Sequence, residues 1–401
     1  MQGPYLLDLQ GKEDAEKVFY EIGCDPVGVQ LMLNKAQIYP LIVKDVKSPG
    51  ANALKQHMLS LGGDAVVGRG VINNSQPTSD VLLLGTLKQY KGLTEKLVYQ
   101  PWGLKELGKK IKALTAQLGK KTRVEWNWAD RSLTLGERTL VMGILNVTPD
   151  SFSDGAKYNT LDLARKQAIK MVEEGADIID VGGESTRPGS RPVSLEEELN
   201  RVLPVLEVLL KELPVPISLD TYKSEVARHA LFLGVHIIND VGGGKKDPHM
   251  AQVVAEKNAP VIVMHNPAEP NYRSLVPDII EDLKESIQLY EQAGLPPEKI
   301  MVDPGIGFGK NAQQSLVVMR HLLSFQSLGK PLLLGASRKS FIGAVLDTPV
   351  NDRLEGSLAA VAWGVMKGVQ AVRVHDVKET VRLVRMLEAM SSAGESDGTI
   401  R

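Results

Sequence analysis

The chain has 401 residues, 43% of them hydrophobic and 24% charged, with a net charge of −1, which suggests two domains of an ordinary globular protein. Near-neutrality excludes a global field that would draw the protein to nucleic acid or to a membrane, so any anion site has to be built locally. The single cysteine, Cys24, excludes an internal disulfide and a Cys-rich zinc site, and no apolar run reaches the roughly 18 residues that span a bilayer.

Residues 1–120 read as a small α/β domain. Ala15, Val18, Phe19 and Ile22 follow helical spacing up to Gly23. Cys24 beside it is expected to be a buried, inert thiol. Residues 38–43 read as a strand, and Pro40 argues for an edge position. Leu54, Met58 and Leu61 form a helical stripe ended by Gly62-Gly63. Residues 81–84 form a short buried strand, and Leu104, Leu107, Ile111, Leu114 and Leu118 a further stripe. Gly68-Arg69-Gly70 reads as a turn rather than an anion loop, because two glycines carry little specificity. No catalytic constellation appears here, which predicts an accessory module. No signal-peptide pattern opens the chain, so a cytoplasmic protein is expected.

Gly119-Lys120-Lys121-Thr122-Arg123 reads as a linker into residues 121–390. Residues 124–128 and 132–135 alternate around Ala129-Asp130-Arg131, which predicts a hairpin placed to plug the bottom of a barrel, with Trp126 and Trp128 as plug residues. Eight strand candidates follow, at 141–146, 177–182, 216–220, 235–239, 260–264, 299–303, 331–335 and 370–374. Helical stretches lie between them, among them 161–174, 195–210, 224–233 and 275–293. Eight strands alternating with helices over about 260 residues predict an α/β fold of the (β/α)8 TIM-barrel type, with a doubly wound open sheet as the alternative. Residues 391–401 are polar and rich in Gly and Ser, the composition of a flexible tail.

Asn146, Asp220, Asn239 and Asp303 each end a predicted strand. Singly, each reads equally well as a helix cap. Four at equivalent points of one barrel converge on its mouth. Gly182-Gly183-Glu184-Ser185-Thr186-Arg187-Pro188-Gly189 places Thr186 and Arg187 between glycines, which a plain turn does not require and which suits a guanidinium closing over an anion. Asp303-Pro304-Gly305-Ile306-Gly307-Phe308-Gly309-Lys310 is not a Walker loop, since the spacing is wrong and no Ser or Thr follows Lys310. Its glycines let the backbone approach a flat ligand beside Phe308. Gly335-Ala336-Ser337-Arg338-Lys339-Ser340 follows the seventh strand, while Arg373 and His375, two apart on the eighth, share a face. Loops after strands 7 and 8 are the habitual phosphate position of this fold. Asp303 can accept paired hydrogen bonds from an amidine-like ring edge, and Arg187, Arg373 and His375 can hold a departing diphosphate. The Asn146 amide oxygen can share a Mg²⁺ ion with it. Displacement of diphosphate from a heterocycle would suit such a site.

In this order, the stretches 142–155, 182–189, 218–221, 238–240, 303–310, 337–340 and 373–376 resemble the motifs of the dihydropteroate synthases. The resemblance covers residues 123–390. It implies the joining of 6-hydroxymethyl-7,8-dihydropterin diphosphate to 4-aminobenzoate, with release of diphosphate, on the folate pathway. It further implies that Asp220, Asn239, Asp303 and Lys339 bind the pterin in a pocket lined by Met264 and Phe308. Asn146 would meet Mg²⁺, and Arg187, Arg373 and His375 the diphosphate. Thr186, Pro188, Phe152 and Ser340 would shape the aminobenzoate site, the sulfonamide target of this family. The implied mechanism is dissociative: diphosphate leaves first, and the arylamine attacks a cationic pterin methylene. A homodimer is implied too. One departure stands out, Asn266-Pro267 after Val263-Met264-His265, which leaves the path of that loop open. Residues 1–120 resemble an extension found in some bacterial members. Two other readings share the pterin carboxylates. A methyltransferase serving a corrinoid protein does not need all the basic loops, and a non-catalytic pterin-binding protein does not need the anion site.

Overall fold

The chain divides into two units, Met1–Lys120 and Lys121–Arg401. The computed structural model describes residues 9, 11–118, 123–147, 157–184 and 192–392 of them. The first unit runs α1 (Lys12–Glu21), α2 (Pro26–Leu33), β1 (Tyr39–Lys47), α3 (Ser48–Ser60), β2 (Asp64–Val67), β3 (Thr78–Gly85), α4 (Leu87–Leu97) and α5 (Leu104–Gln117). Local chemistry sets its helix starts. Asp25 accepts from the Val27 and Gly28 N–H groups ahead of Pro26, and Thr86 with Gln89 closes a capping box on α4. The antiparallel sheet has the order β1-β3-β2, so Pro40 lies on an edge strand where its missing N–H is tolerated. Leu54, Met58, Leu83, Tyr90, Leu93 and Leu97 are fully buried in its core. Gly68-Arg69-Gly70 leads into the 3-10 turn Arg69–Val71. Cys24 corrects an expectation. It is half-buried, because it lies in the short connection between α1 and α2 rather than under an element.

In the second unit β4 (Val124–Asn127) and β5 (Ser132–Leu135) form the expected hairpin. Eight parallel strands follow: β6 (Leu140–Asn146), β7 (Ile178–Gly182), β8 (Ile217–Asp220), β9 (Ile237–Asp240), β10 (Val261–Met264), β11 (Ile300–Asp303), β12 (Leu333–Leu334) and β13 (Ala371–Val374). The helices between and after them are α6 (Lys157–Glu173), α7 (Leu195–Glu212), α8 (Ser224–Leu233), α9 (Met250–Glu256), α10 (Leu275–Gln292), α11 (Ala312–Arg320), α12 (Ser340–Leu346), α13 (Leu354–Met366) and α14 (Val377–Ser392). The sheet order is β11-β10-β9-β8-β7-β6-β13-β12, and a parallel bridge between Val302 and Leu332 joins its two ends. That bridge rules out an open sheet. The unit is a TIM barrel. Among the described residues, no helix is long and apolar enough to cross a membrane.

Trp126, Leu133 and Leu135 of the hairpin share one apolar cluster with Leu140, Met142, Ile178, Ile237, Ile262, Met301, Leu333 and Ala371, so the hairpin caps the bottom of the barrel interior. Among the described residues, every barrel strand except β8 contributes to it, and β8 presents the buried Ser218 instead. Because side chains alternate along a strand, the residues two further on face the same interior nearer the mouth. Those residues are Asp180, Asn239, Met264, Asp303, Gly335 and Arg373, with Asp220 two beyond Ser218 and Asn146 four beyond Met142. The same period that packs the plug thus delivers the polar groups to the top.

Beside the plug, the Trp128 indole N–H donates to the His236 carbonyl at 3.1 Å, and the two rings meet edge-on at 5.2 Å. His236 Nδ1 accepts the Ile217 N–H at 3.1 Å, and burial pulls its pKa down to about 4. A folded pKa below the unfolded value means that the unfolded chain binds the proton more tightly. The stabilisation is full above about pH 6.5 and disappears as pH falls towards about 4. The melting temperature should therefore fall between about pH 7 and about pH 4.5, and His236→Leu should flatten that slope. Equal slopes in the two proteins would sink the assignment.

Candidate active site

The deepest part of the mouth is a buried ionic network. Arg373 donates from Nε to Asp180 Oδ2 at 2.6 Å and from Nη2 to Asp220 Oδ2 at 2.7 Å. Asn239 Nδ2 donates to the same Asp180 oxygen at 3.1 Å. Burial pushes Asp220 up to about 7, with Arg373 pulling the other way. On Arg373 burial opposes the charge, but Asp180 and Asp220 outweigh it and hold its pKa above the ordinary value. Arg373, expected to face diphosphate, is engaged along its Nε edge by two carboxylates. Its Nη1 donates to none of the described residues and is the part an anion would meet.

Asp180 is the residue that the end-of-strand criterion passes over. It sits mid-strand in β7 with no exposure, and its Oδ1 has no hydrogen-bond partner among the described residues. The available signal was a carboxylate inside the apolar run Ile178-Ile179-Asp180-Val181, where an unpaired charge is costly.

On β11, Asp303 accepts the Gly305 N–H at 2.7 Å, and burial raises its pKa, with Lys339 opposing. Lys339 Nζ donates to the Ile306 carbonyl and lies 4.2 Å from the centre of the half-buried Phe308 ring. Burial pulls its pKa down to about 8. The basic loop owes its shape to neighbours. Arg338 has a left-handed φ of 57°, held by its N–H bond to Ser357 Oγ at 2.9 Å and by Arg353 on the Arg338 and Lys339 carbonyls. The Arg338 side chain pairs with Asp376 at 3.0 Å. His375 Nδ1 lies 3.0 Å from Ser337 Oγ.

The structure therefore brings Asp220 and Arg373 into contact, joins Asn239 to them through Asp180, and sets Lys339 over Phe308. Met264 is buried at the end of β10, and Ser340 is exposed at the start of α12. Asn146 ends β6 beside Gly182, and a Cβ added to that glycine would lie 3.6 Å from Asn146 Oδ1 and 3.9 Å from Asp220 Oδ2. Phe152, Thr186, Arg187 and Pro188 lie outside the described residues. The root of the loop that carries the last three is described. Lys223 Nζ bonds Glu184 and the buried Glu198, both at 2.5 Å, and Arg201 holds the Gly183 carbonyl at 2.8 Å. No local pattern marks that anchor in the sequence. Among the described residues, no group of three or more His, Cys, Asp or Glu side chains is placed to hold a metal ion.

Chemically, the floor offers carboxylate acceptors for ring N–H groups, an ammonium donor over an aromatic face, and an arginine edge beside them. The family of pterin binding enzymes matches residues 142–375. Dihydropteroate synthase of Bacillus subtilis (strain 168) is 54% identical over 263 residues, covering 66% of this chain and 92% of that protein. The probable bifunctional folylpolyglutamate synthase/dihydropteroate synthase of Halobacterium salinarum is 42% identical over 398 residues, 97% of this chain and 47% of that protein. Among solved structures, Xanthomonas albilineans dihydropteroate synthase with 4-aminobenzoic acid is similar with a TM-score of 0.65 and 40% identity, over 69% of this chain and 100% of that one.

Proposed function

The chain belongs to the pterin-binding enzymes and, among them, to the dihydropteroate synthases, and from that membership we infer how its own residues divide the reaction. It is a transferase that condenses 6-hydroxymethyl-7,8-dihydropterin diphosphate with 4-aminobenzoate, giving 7,8-dihydropteroate and diphosphate in folate biosynthesis. The observation that carries the division of roles is the pairing of two unlike corners on one floor. Asp303, within electrostatic reach of Lys339, forms one, and Asp220 hydrogen-bonded to Arg373 the other.

In this reading Asp303 accepts two parallel hydrogen bonds from the amidine-like edge of the pterin, the geometry for which a fixed carboxylate is suited. Lys339 donates to the ring from above Phe308, and Asp220 and Asn239 take the remaining ring edge. Arg373, through Nη1, and His375 stabilise charge on the departing diphosphate, with Arg187 closing from the loop after β7. Donors aimed at developing charge are the main source of rate in such a site, and no side-chain nucleophile is required. Carboxylates close to the ring also favour a cationic methylene once diphosphate has left.

The Asn146 amide oxygen, half-buried and with no side-chain hydrogen bond among the described residues, fits a Mg²⁺ ion that takes oxygen ligands and few protein contacts. When bound, Mg²⁺ would neutralise charge on the diphosphate. We also propose a homodimer, supported by Val345, Leu346 and Met366, which are exposed on α12 and α13.

Purified protein should release diphosphate in step with dihydropteroate formation when given the pterin substrate, 4-aminobenzoate and Mg²⁺. Omitting the aminobenzoate or chelating Mg²⁺ should suppress release. Pterin binding without turnover would overturn the assignment of roles. A monomeric mass for the same sample would remove the dimer, and release unaffected by chelation would remove the ion.

A further inference from the structure

The loop after β11 forms the pterin floor in the reading above, yet its own backbone does little to order it. Gly305, Gly307 and Gly309 all have left-handed φ, at 66°, 78° and 56°. Loops of this kind lose much conformational entropy on folding. The backbone bond within the loop runs from the Phe308 N–H to the Gly305 carbonyl, at 3.0 Å. The carbonyls of this loop are held mainly by side chains. Lys339 takes that of Ile306, and Tyr272 Oη that of Gly309 at 2.9 Å. Lys310 takes two, Gly305 at 2.8 Å and Phe308 at 2.9 Å.

The third Lys310 bond goes to the next loop of the barrel. Its Nζ lies 2.7 Å from Nδ1 of His265, the residue that follows β10. His265 is buried, and burial pulls its pKa down to about 3; against an ammonium, which has no lone pair, the neutral ring has to offer Nδ1 as an acceptor and carry its proton on Nε2. The two loops also interlock sterically. A Cβ on Gly305 would overlap the His265 carbonyl oxygen, and one on Gly309 would come within 2.9 Å of Pro267 Cγ. Asn266 Nδ2 donates to the Val241 carbonyl at 3.0 Å, tying this assembly back to the end of β9. The departure at Asn266-Pro267 thus has a place in the fold, as the wall against which Gly309 packs.

An ammonium has three protons, and three acceptors surround this one. Burial pulls Lys310 down to about 7, against the attraction of Asp303. A neutral amine would have two protons for the three acceptors. All the hydrogen bonds of this side chain go to the two loops.

We propose that Lys310 is a positioning residue for the pterin, locking the loops after β10 and β11 into one body and so setting Asp303 and Phe308 in place before substrate arrives. The proposal rests on the reading of this floor as the pterin site.

Lys310→Met keeps the chain length and removes all three donors. It should raise KM for the pterin substrate by about 10–100-fold while KM for 4-aminobenzoate stays within about twofold. Loss of folded protein alone would lower kcat and move neither KM. His265→Leu alone should also raise the pterin KM, and adding it to Lys310→Met should raise it little further, because both act through one contact. Tyr272→Phe removes a single bond to the same loop from a half-buried side chain, and should raise the pterin KM about threefold to tenfold even if the Lys310 variant does not fold. An unchanged pterin KM in folded Lys310→Met, or in Tyr272→Phe where Lys310→Met fails to fold, overturns the proposal while leaving the wild-type activity intact. A wild-type protein that neither binds nor turns over the pterin would overturn the functional reading and this proposal together.

Discussion

Asp303→Asn should lower kcat/KM for the pterin substrate by about 10²–10⁴-fold with little change in fold. The side chain is almost fully buried, and the exchange preserves its shape. What disappears is the charge and half of the accepting capacity. The carboxylate already accepts the Gly305 N–H at 2.7 Å through Oδ1, and still has lone pairs for two ligand donors. An amide in its place offers one oxygen and turns a donor towards the loop or the ligand. Each lost charge-assisted bond is worth about 1.5–3 kcal/mol, and two of them give the range stated. Lys339 adds to the effect, since its ammonium over Phe308 loses the negative partner that opposes its burial. The loss should fall mainly on the pterin KM, because the hydrogen bonds exist in the ground state as well as the transition state. A fall in kcat/KM of less than about tenfold, in protein of unchanged melting temperature, would remove Asp303 from the pterin floor.

How much of this site is legible in the sequence depends on how far each contact reaches. The barrel strands are legible because each is buried on both faces and appears as a short apolar run. Asn146, Asp220, Asn239 and Asp303 are legible because polarity changes abruptly where the run ends. The plug is legible in the alternation around Ala129-Asp130-Arg131, and in the structure the apolar cluster it shares with the barrel strands marks the side of each that faces inward. Asp180 escapes because it breaks an apolar run from within, and nothing local says which cation answers it. That cation is Arg373, 193 positions away, which also reaches Asp220 across 153 positions. The Lys223 bonds to Glu184 and Glu198, and that of Lys310 to His265, pose the same difficulty, spanning 39, 25 and 45 positions between different βα units. Only the parallel pairing of the strands, unit beside unit, makes such residues neighbours. β12 is shorter than its apolar run implies, as β-pairing named for it covers Leu333 and Leu334 while the ring is completed at Leu332.

Asp180→Ala should damage stability and catalysis at once, and the two losses have one cause. The Asp180 Oδ2 atom is shared by Arg373 and Asn239, so its removal leaves a mostly buried guanidinium with one carboxylate and a buried amide with none. Breaking a buried ion pair by deleting one partner costs about 3–5 kcal/mol, because the remaining charge keeps its desolvation penalty. For a barrel of this size that corresponds to a melting temperature lower by about 10 °C. Catalysis suffers because Asp180 fixes the angle of Arg373. Without it the guanidinium is free to swing onto Asp220, taking up the acceptor meant for the pterin and turning Nη1 away from the diphosphate. We expect kcat/KM to fall by about 10²-fold or more, with kcat itself reduced, unlike the KM-dominated loss at Asp303. Asp180→Asn separates the two contributions. It keeps an oxygen for Arg373 and the packing, so most of the stability should return, while the weaker hold on the guanidinium keeps kcat below wild type. If Asp180→Ala melts within about 2 °C of wild type and turns over normally, the Asp180–Arg373 pair does not organise the site, and Asp220 alone must hold the arginine.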